Sequence, residues 1–304
     1  MNAETALSPI RRWFISLRPY SFTASLMPAA LAAAVVVNRG GEAAWWTFPL
    51  YVVSAILFHA GTNVLNDYYD FVHGVDGPDD QDPTHAITRG IVSPRFMAVT
   101  GHLYFILGVF FGSVIAVDRG WWFFLAGLGG AAGAYYYTNA RFSFKYVALG
   151  DLLVFLLMGP ALVLMGEWAL VGTVGPEAIY HALPMGLLVT AILHGNNLRN
   201  IDSDHAAGVK TVATILGRHR SRRFFYLLLV TPFLLTIILA LASAASLPLF
   251  LTLLAAYPTY KLLRTVHAAS TEEEIITLPL QTAQLHLIFS VLYIVALFLS
   301  AEIL

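Results

Sequence analysis

The chain has 304 residues, 58% of them hydrophobic and 12% charged, with a net charge of −1. Soluble domains carry about 25% charged residues, so a water-soluble globule is excluded, and the near-zero net charge offers nothing to nucleic acid or another polyanion. The absence of cysteine excludes disulfides, thiolate catalysis and thiolate metal sites.

The apolar residues come in long runs, and the mean hydropathy is +0.71. A helix needs about 20 apolar residues to cross about 30 Å of hydrocarbon. Nine segments meet that need, at 20–37, 47–69, 97–117, 120–138, 146–171, 179–199, 224–243, 246–263 and 281–301. None shows the two-residue alternation of a barrel strand. The expected fold is all-α and integral to the membrane, with nine transmembrane helices in one bundle. A single domain is expected over 1–304, with a cytoplasmic N-terminal segment 1–17 and cytoplasmic loops 70–95 and 200–223. The first run follows Arg11, Arg12 and Arg18, but Ser21 to Val37 exceeds the core of a secretion signal and is read as a span.

Basic residues set the sides. Of 17 Lys and Arg, 15 fall on one side of these nine spans, and only Arg39 and Arg119 lie on the other. An excess of this kind marks the cytoplasmic face. It puts the N-terminus inside and the C-terminus outside.

Ionisable residues inside a membrane segment are costly and mark function. The second span ends in Asn63-Val64-Leu65-Asn66-Asp67-Tyr68-Tyr69-Asp70, where Asn63, Asp67 and Asp70 share one helix face. The sixth ends in Asn196-Asn197-Leu198-Arg199-Asn200-Ile201-Asp202-Ser203-Asp204, with Asn197, Asn200 and Asp204 close to one face. At a constant offset of 134, Asn63 aligns with Asn197, Asn66 with Asn200, Asp70 with Asp204, Gly74 with Gly208 and Val75 with Val209. This reads as a parallel duplication of a four-helix unit.

Carboxylates facing one another across a cavity repel, and they stay ionised only around a cation. Oxygen ligands of this kind suit Mg²⁺, which binds through one or two carboxylates plus substrate phosphates. Arg89, Arg141, Lys145 and Lys210 fall on the same side and supply positive charge for a departing diphosphate.

Other features have plainer readings. The run Gly127–Gly133 lies inside an apolar span with no preceding strand, so it reads as small-residue helix packing rather than a nucleotide loop. His59 reads as a hydrogen-bonded interior histidine. Asp76, Asp79, Asp80 and Asp82 read as a solvated loop, as do Glu272, Glu273 and Glu274.

Arg18-Pro19, the Asn63…Asp67…Asp70 stripe and the second acidic stripe together resemble the UbiA superfamily of intramembrane prenyltransferases. The stretches Phe144-Lys145-Tyr146-Val147-Ala148-Leu149-Gly150-Asp151 and Asn196 to Asp204 look like its 1,4-dihydroxy-2-naphthoate polyprenyltransferase branch, of menaquinone biosynthesis. The similarity runs from about Leu17 to Gly217. It implies a bundle around a central cavity open to lipid, and Mg²⁺-dependent transfer of a polyprenyl group from polyprenyl diphosphate to an aromatic acceptor. For dihydroxynaphthoate the reaction loses CO₂ and gives demethylmenaquinone. Hydroxybenzoate, homogentisate, chlorophyllide or lipid-ether acceptors are the alternatives within the superfamily.

Carried over residue by residue, the resemblance implies metal ligands at Asn63, Asp67, Asp70, Asn200 and Asp204, with Asp202 a further candidate. It implies catalytic roles for Asp67, Asp70, Asp204 and Lys145. Diphosphate or substrate contacts fall to Arg18, Asn66, Arg89, Tyr137, Arg141, Asn197 and Lys210. Asn200 departs from the pattern, because the family's second motif usually begins with Asp. The expected location is a bacterial inner membrane, with the active site facing the cytoplasm. A secondary transporter is the rival class, but transport sites favour the bilayer midplane and both stripes lie at same-side helix ends.

Overall fold

A computed structural model describes residues 8, 13–14, 17–40, 42–75, 86–139, 143–242, 244–269, 271 and 273–301. A 3₁₀ turn, Pro19–Phe22, leads into α1 (Thr23–Asn38). Then come α2 (Thr47–Val72), α3 (Pro94–Arg119), α4 (Trp121–Thr138), α5 (Gly150–Val171) and α6 (Pro176–Arg199). The short α7 (Ile201–Ala206) precedes α8 (Val212–Ala242), which is kinked at Gly217. A 3₁₀ segment, Ala244–Ala255, continues as α9 (Ala256–Ala268), and α10 (Leu278–Ala301) closes the chain. No strand forms among the described residues.

Seven helices among the described residues are long and apolar enough to cross a membrane. They account for seven of the nine expected spans. The other two regions are helical but fall short individually. Trp and Tyr at the ends of α4, with Gly in its middle, dilute its hydropathy, and the 244–268 region is broken by a change of helix type. Outward faces carry bare apolar side chains, such as Ile106, Ile238, Leu254 and an 89% exposed Val117. So much exposed apolar surface is a liability in water and a requirement in lipid.

Local chemistry sets the ends. Ser93 caps α3, its Oγ accepting the Phe96 N–H at 3.2 Å, with Pro94 in the first turn. Gly120, at φ +87°, makes the tight turn into α4. Thr211 and Thr214 cap α8 reciprocally, each hydroxyl accepting the other's backbone N–H at 3.1 and 2.9 Å.

The bundle is packed on one side and hollow on the other. Leu31, Met185, Leu188, Phe225, Leu229, Phe289 and Tyr293 form a close core between α1, α6, α8 and α10. Between α2, α3, α4 and α5 lies an apolar cavity of about 400 Å³ instead. The glycines of α4 help to make it. Gly127 and Gly130 stand in its wall, and a Cβ placed at Gly130 would meet no atom within 4 Å. The glycine run expected to pack helices therefore also lines open space.

Across the hollow side, α5 departs from regular winding at Leu157–Ala161, a π turn containing Pro160. Proline lacks an N–H and clashes with the carbonyl one turn back, so a local expansion relieves it. There Gly159 lies against the backbone of Gly186 on α6, where an added Cβ would stand 2.8 Å from Cα.

Gly159→Ala is expected to cost about 1–3 kcal/mol by overpacking, because backbone cannot rotate out of the way. Gly129→Ala, where a Cβ meets nothing within 4 Å, should be neutral or stabilising by up to about 1 kcal/mol from helix propensity. Denaturation in detergent micelles compares the two.

Candidate active site

The two acidic stripes end in the same turn. Val75 N–H reaches Asp70 O at 2.9 Å and Gly74 N–H reaches Phe71 O at 3.1 Å, with Gly74 at φ +68°. At an offset of 134, Val209 N–H reaches Asp204 O at 2.8 Å and Gly208 N–H reaches His205 O at 3.1 Å, with Gly208 at φ +70°. Each is a Schellman cap, which needs a left-handed residue that glycine supplies without strain. Asp70 and Asp204 thus occupy equivalent places in the last turns of their helices. That is the negative pole of the helix dipole, where a carboxylate is disfavoured unless a cation meets it.

Lys145 meets Asp70. Its ammonium donates to Asp70 Oδ2 at 2.6 Å and to Asn66 Oδ1 at 3.3 Å. Asn66 Nδ2 donates to Asp70 Oδ2 at 2.8 Å, Thr138 Oγ1 donates to Asn66 Oδ1 at 3.3 Å, and the Tyr146 hydroxyl donates to Asp70 Oδ1. Burial alone would pull the Lys145 ammonium down, but Asp70, then Tyr146, Tyr137 and Asp204, outweigh it and hold Lys145 above its ordinary value. It is a charged group in a protected place.

The segment bearing Lys145 is folded back tightly. Lys145 N–H and Ser143 Oγ both donate to Tyr137 O, at 3.1 and 2.8 Å. Ala148 adopts φ +59° and donates its N–H to Lys210 O at 2.7 Å, which docks this segment on the loop after Asp204. A second non-glycine residue with positive φ, Arg18 at +52°, sits at the entrance to α1, its carbonyl held by Ser21 Oγ at 2.8 Å. Such strained residues persist where surrounding contacts fix them, and they gather at functional sites.

These groups open onto a pocket of about 150 Å³, lined by Arg18, Asn63, Asn66, Tyr137, Lys145 and Asn196 among others. His59, Ala134, Leu157 and Met158 line both this pocket and the large apolar cavity. A charged head and an apolar tail would find adjoining spaces here. His59 is buried, its Nε2 3.2 Å from Ser21 Oγ and its Nδ1 2.8 Å from Ser25 Oγ.

The predicted residues divide. Asn63, Asn66, Asp67, Asp70, Lys145, Tyr137, Arg18 and Asp204 gather on one side of the bundle. Asp67 and Asp70 are 1% and 2% exposed, and Asp204 is buried. Asp67 Oδ2 accepts the Ala86 N–H at 3.1 Å, which ties down the turn carrying a half-buried Arg89. Asn63 turns its amide donors to Leu17 O and Ser21 Oγ at 3.2 and 3.0 Å.

Others differ from expectation. Asn197 faces away from the pocket and donates to Asp151 Oδ1 at 3.2 Å, leaving its neighbour Asn196 to line the space. Asn200 caps α6, and its oxygen accepts from Arg199 Nε at 2.7 Å, so a guanidinium occupies the atom expected for a metal. Asp202 lies two residues from Asp204 on a regular turn and so points elsewhere. It is 74% exposed and paired with Arg218 at 2.6 Å. The Lys210 side chain is exposed, and what its loop contributes is a backbone carbonyl. Arg141 lies outside the described residues, as do Asp76, Asp79, Asp80, Asp82 and Glu272. Tyr146, Thr138 and Asn196 were missed. Adjacency to Lys145 in sequence was the one available signal for Tyr146.

The arrangement defines a class: a polytopic membrane protein with buried carboxylates and a charged lysine at the head of an apolar cavity. The sequence pattern of the UbiA prenyltransferase family matches residues 25–285. UbiA prenyltransferase domain-containing protein 1 of Xenopus tropicalis is 31% identical, over 95% of this chain and 82% of that protein. Its Danio rerio counterpart is 32% identical over 95% and 84%, and the Drosophila melanogaster homolog 32% over 94% and 79%. Among solved structures, a UbiA homolog from Archaeoglobus fulgidus bound to GPP and Mg²⁺ superposes with a TM-score of 0.66 at 18% identity, covering 96% of this chain and 99% of that one. Digeranylgeranylglyceryl phosphate synthase superposes with a TM-score of 0.60 at 16% identity, covering 98% and 100%. The chain belongs to the UbiA prenyltransferase family and is a prenyl-transferring enzyme.

Removing one partner of a buried ion pair costs about 3–5 kcal/mol. Lys145→Met should therefore lower unfolding stability by that amount, and Lys145→Met combined with Asp70→Asn should recover much of it. Thermal melting in detergent reads both, and equal stabilities for the single and double variants would contradict the pairing.

Proposed function

We propose that this enzyme moves a polyprenyl group from its diphosphate onto 1,4-dihydroxy-2-naphthoate, with loss of CO₂, in a Mg²⁺-dependent reaction giving demethylmenaquinol, the hydroquinone form of demethylmenaquinone. The observation that carries the reaction class is the polar pocket beside Asp70 and Lys145, which shares walls with the 400 Å³ apolar cavity. The naphthoate acceptor rests on the motifs Phe144 to Asp151 and Asn196 to Asp204. The active site faces the cytoplasm across nine spans, with α4 and the 244–268 region crossing too. That topology rests on the distribution of 15 against two basic residues. The curated relatives named above are animal proteins, and they lend no support to a bacterial plasma membrane.

The donor set fits Mg²⁺ shared with a diphosphate. Asp67, Asp70 and Asp204 carry buried carboxylate oxygens, and no group of three acidic or imidazole side chains forms a ready cage among the described residues. Mg²⁺ uses few carboxylates and keeps waters and phosphate oxygens for the rest. The solved Archaeoglobus fulgidus homologs bound to DMAPP and Mg²⁺ or GPP and Mg²⁺ are consistent with that mode. Asp67, Asp70 and Asp204 would hold the metal, with Asn63 beside them. Bound there, it would neutralise the diphosphate and favour its departure.

The chain's own residues do the remainder. Lys145 and Arg18 offer positive charge to the diphosphate at the pocket. The apolar walls hold the prenyl chain and exclude water that would capture the allylic cation left behind. The ring carbon bearing the carboxylate attacks that cation. The carbon–carboxylate bond then breaks, its electron pair restores the ring, and CO₂ leaves.

In proteoliposomes supplied with a prenyl diphosphate, turnover should require Mg²⁺ and favour dihydroxynaphthoate in a panel with hydroxybenzoate and homogentisate. Prenylation of hydroxybenzoate alone would overturn the acceptor. Asp67→Asn should lower turnover by about two orders of magnitude, the scale of losing a preorganised electrostatic group, while the protein still melts cooperatively. Full activity in that variant would remove Asp67 from the site.

A further inference from the structure

A second buried polar cluster lies beside the site and is used by none of the chemistry above. Asp151, in the first turn of α5, is buried among three helices. Its Oδ2 lies 2.6 Å from His194 Nδ1, and its Oδ1 accepts from Asn197 Nδ2 at 3.2 Å. The opposite edge of His194 meets α8, with Nε2 2.8 Å from Ser221 Oγ and 3.2 Å from Ser221 O. His194 and Ser221 are fully buried and Asn197 nearly so. An ionised carboxylate only accepts, so His194 Nδ1 carries a proton and donates to Asp151, while Nε2 faces both the hydroxyl and the carbonyl of Ser221. Every polar side-chain atom of this kind must be satisfied away from water.

Position gives the cluster its meaning. Asp151 follows Lys145 by six residues, across the strained segment at Ala148. Asn197 neighbours Asn196, which lines the polar pocket, and stands seven residues before Asp204. Ser221 follows the Gly217 kink, beyond the loop that carries Lys210. The cluster thus joins the helix that follows the Lys145 segment, the helix that leads to Asp204, and the helix that anchors the intervening loop.

We propose that Asp151 is a positioning residue, which fixes the second acidic stripe relative to the Lys145–Asp70 pair by holding Asn197 and His194. This rests on the diphosphate reading above. Asp151 touches no reacting atom. It sets the separation of the groups that do. Partners of this kind typically contribute 10- to 100-fold to metal affinity or activity.

The hydrogen-bond polarity supplies the test. In Asp151→Asn, the amide oxygen can accept from His194, but its NH₂ then faces the NH₂ of Asn197. In Asn197→Asp, two carboxylates face each other in a buried site. The exchange Asp151→Asn/Asn197→Asp restores donor opposite acceptor and keeps the net charge.

In the full chain in proteoliposomes, each single variant should raise the donor KM and the Mg²⁺ half-saturation by about 10- to 100-fold, with a smaller change in kcat. The exchange should return both towards wild type. The rise in melting temperature produced by Mg²⁺ with a non-hydrolysable prenyl thiodiphosphate should shrink in the single variants and recover in the exchange. Ser221→Ala deletes one hydroxyl without adding charge, and should keep the fold with a smaller effect in the same direction. An exchange variant that melts normally yet binds donor as weakly as the single variants would overturn the proposal. So would single variants that lower the melting temperature while leaving donor KM unchanged. Should neither single variant fold, an unaltered donor KM in Ser221→Ala overturns it. A wild-type enzyme that turns over without Mg²⁺ would sink the metal reading instead, leaving positioning to be judged on donor KM.

Discussion

A carboxylate at the C-terminal end of a helix, inside an apolar bundle, is the constraint on which the rest of this structure depends. Asp70 is 2% exposed and lies where the helix dipole opposes its charge. Water cannot solvate it, so protein groups must, and desolvated charge is tolerated only with good partners. Lys145, Tyr146 and Asn66 converge on its two oxygens. Bringing Lys145 there obliges the chain between α4 and α5 to fold back onto Tyr137 and to accept positive φ at Ala148. That fold in turn offers the Ala148 N–H to Lys210 O, which seats the loop following Asp204.

The division between packed and hollow halves follows from side-chain size. Alanine, leucine and phenylalanine fill the space between α1, α6, α8 and α10. Glycine and alanine on α4 leave it empty opposite. The π turn at Leu157–Ala161 sits where the polar pocket and the apolar cavity share Leu157 and Met158. His59 closes the same seam with both ring nitrogens beside serine hydroxyls on the entrance to α1. A polar group at that boundary is thus satisfied by protein hydroxyls rather than by water.

Much of this was legible in the sequence because charge in a membrane protein is too costly to place idly. The few acidic residues in spans marked one side of the bundle, and their spacing gave the shared face of Asn63, Asp67 and Asp70. What escaped was rotational detail. A helix turns about 100° per residue, so Asn196 and Asn197 point to different places, and only packing decides which enters the pocket. The fate of Asn200 was hidden for a related reason, since its oxygen is claimed by the adjacent Arg199, a contact that no periodicity reports. Asp151, His194 and Ser221 were out of reach too, because their meeting is made across three helices.

The matched turns at Asp70 and Asp204 end two stripes whose partners are unlike. In the first, the charge is met by Lys145 from a neighbouring loop. In the second, the equivalent of Asn66 is Asn200, and the Arg199 guanidinium donates to the side-chain oxygens of both Asn200 and Asn196. Asp202 is drawn outward by Arg218. Asp204 is therefore the one buried carboxylate of its stripe, against two in the first. Full symmetry would confront more carboxylates across one low-dielectric space, at a desolvation cost that each added charge increases. At the same offset the place of Asp67 is taken by Ile201, whose apolar side chain avoids that cost, while the amide at 200 matches the amide at 66. The exchange leaves two buried carboxylates in the first stripe and one in the second, so the desolvation cost falls mainly on the side where Lys145 stands to offset it.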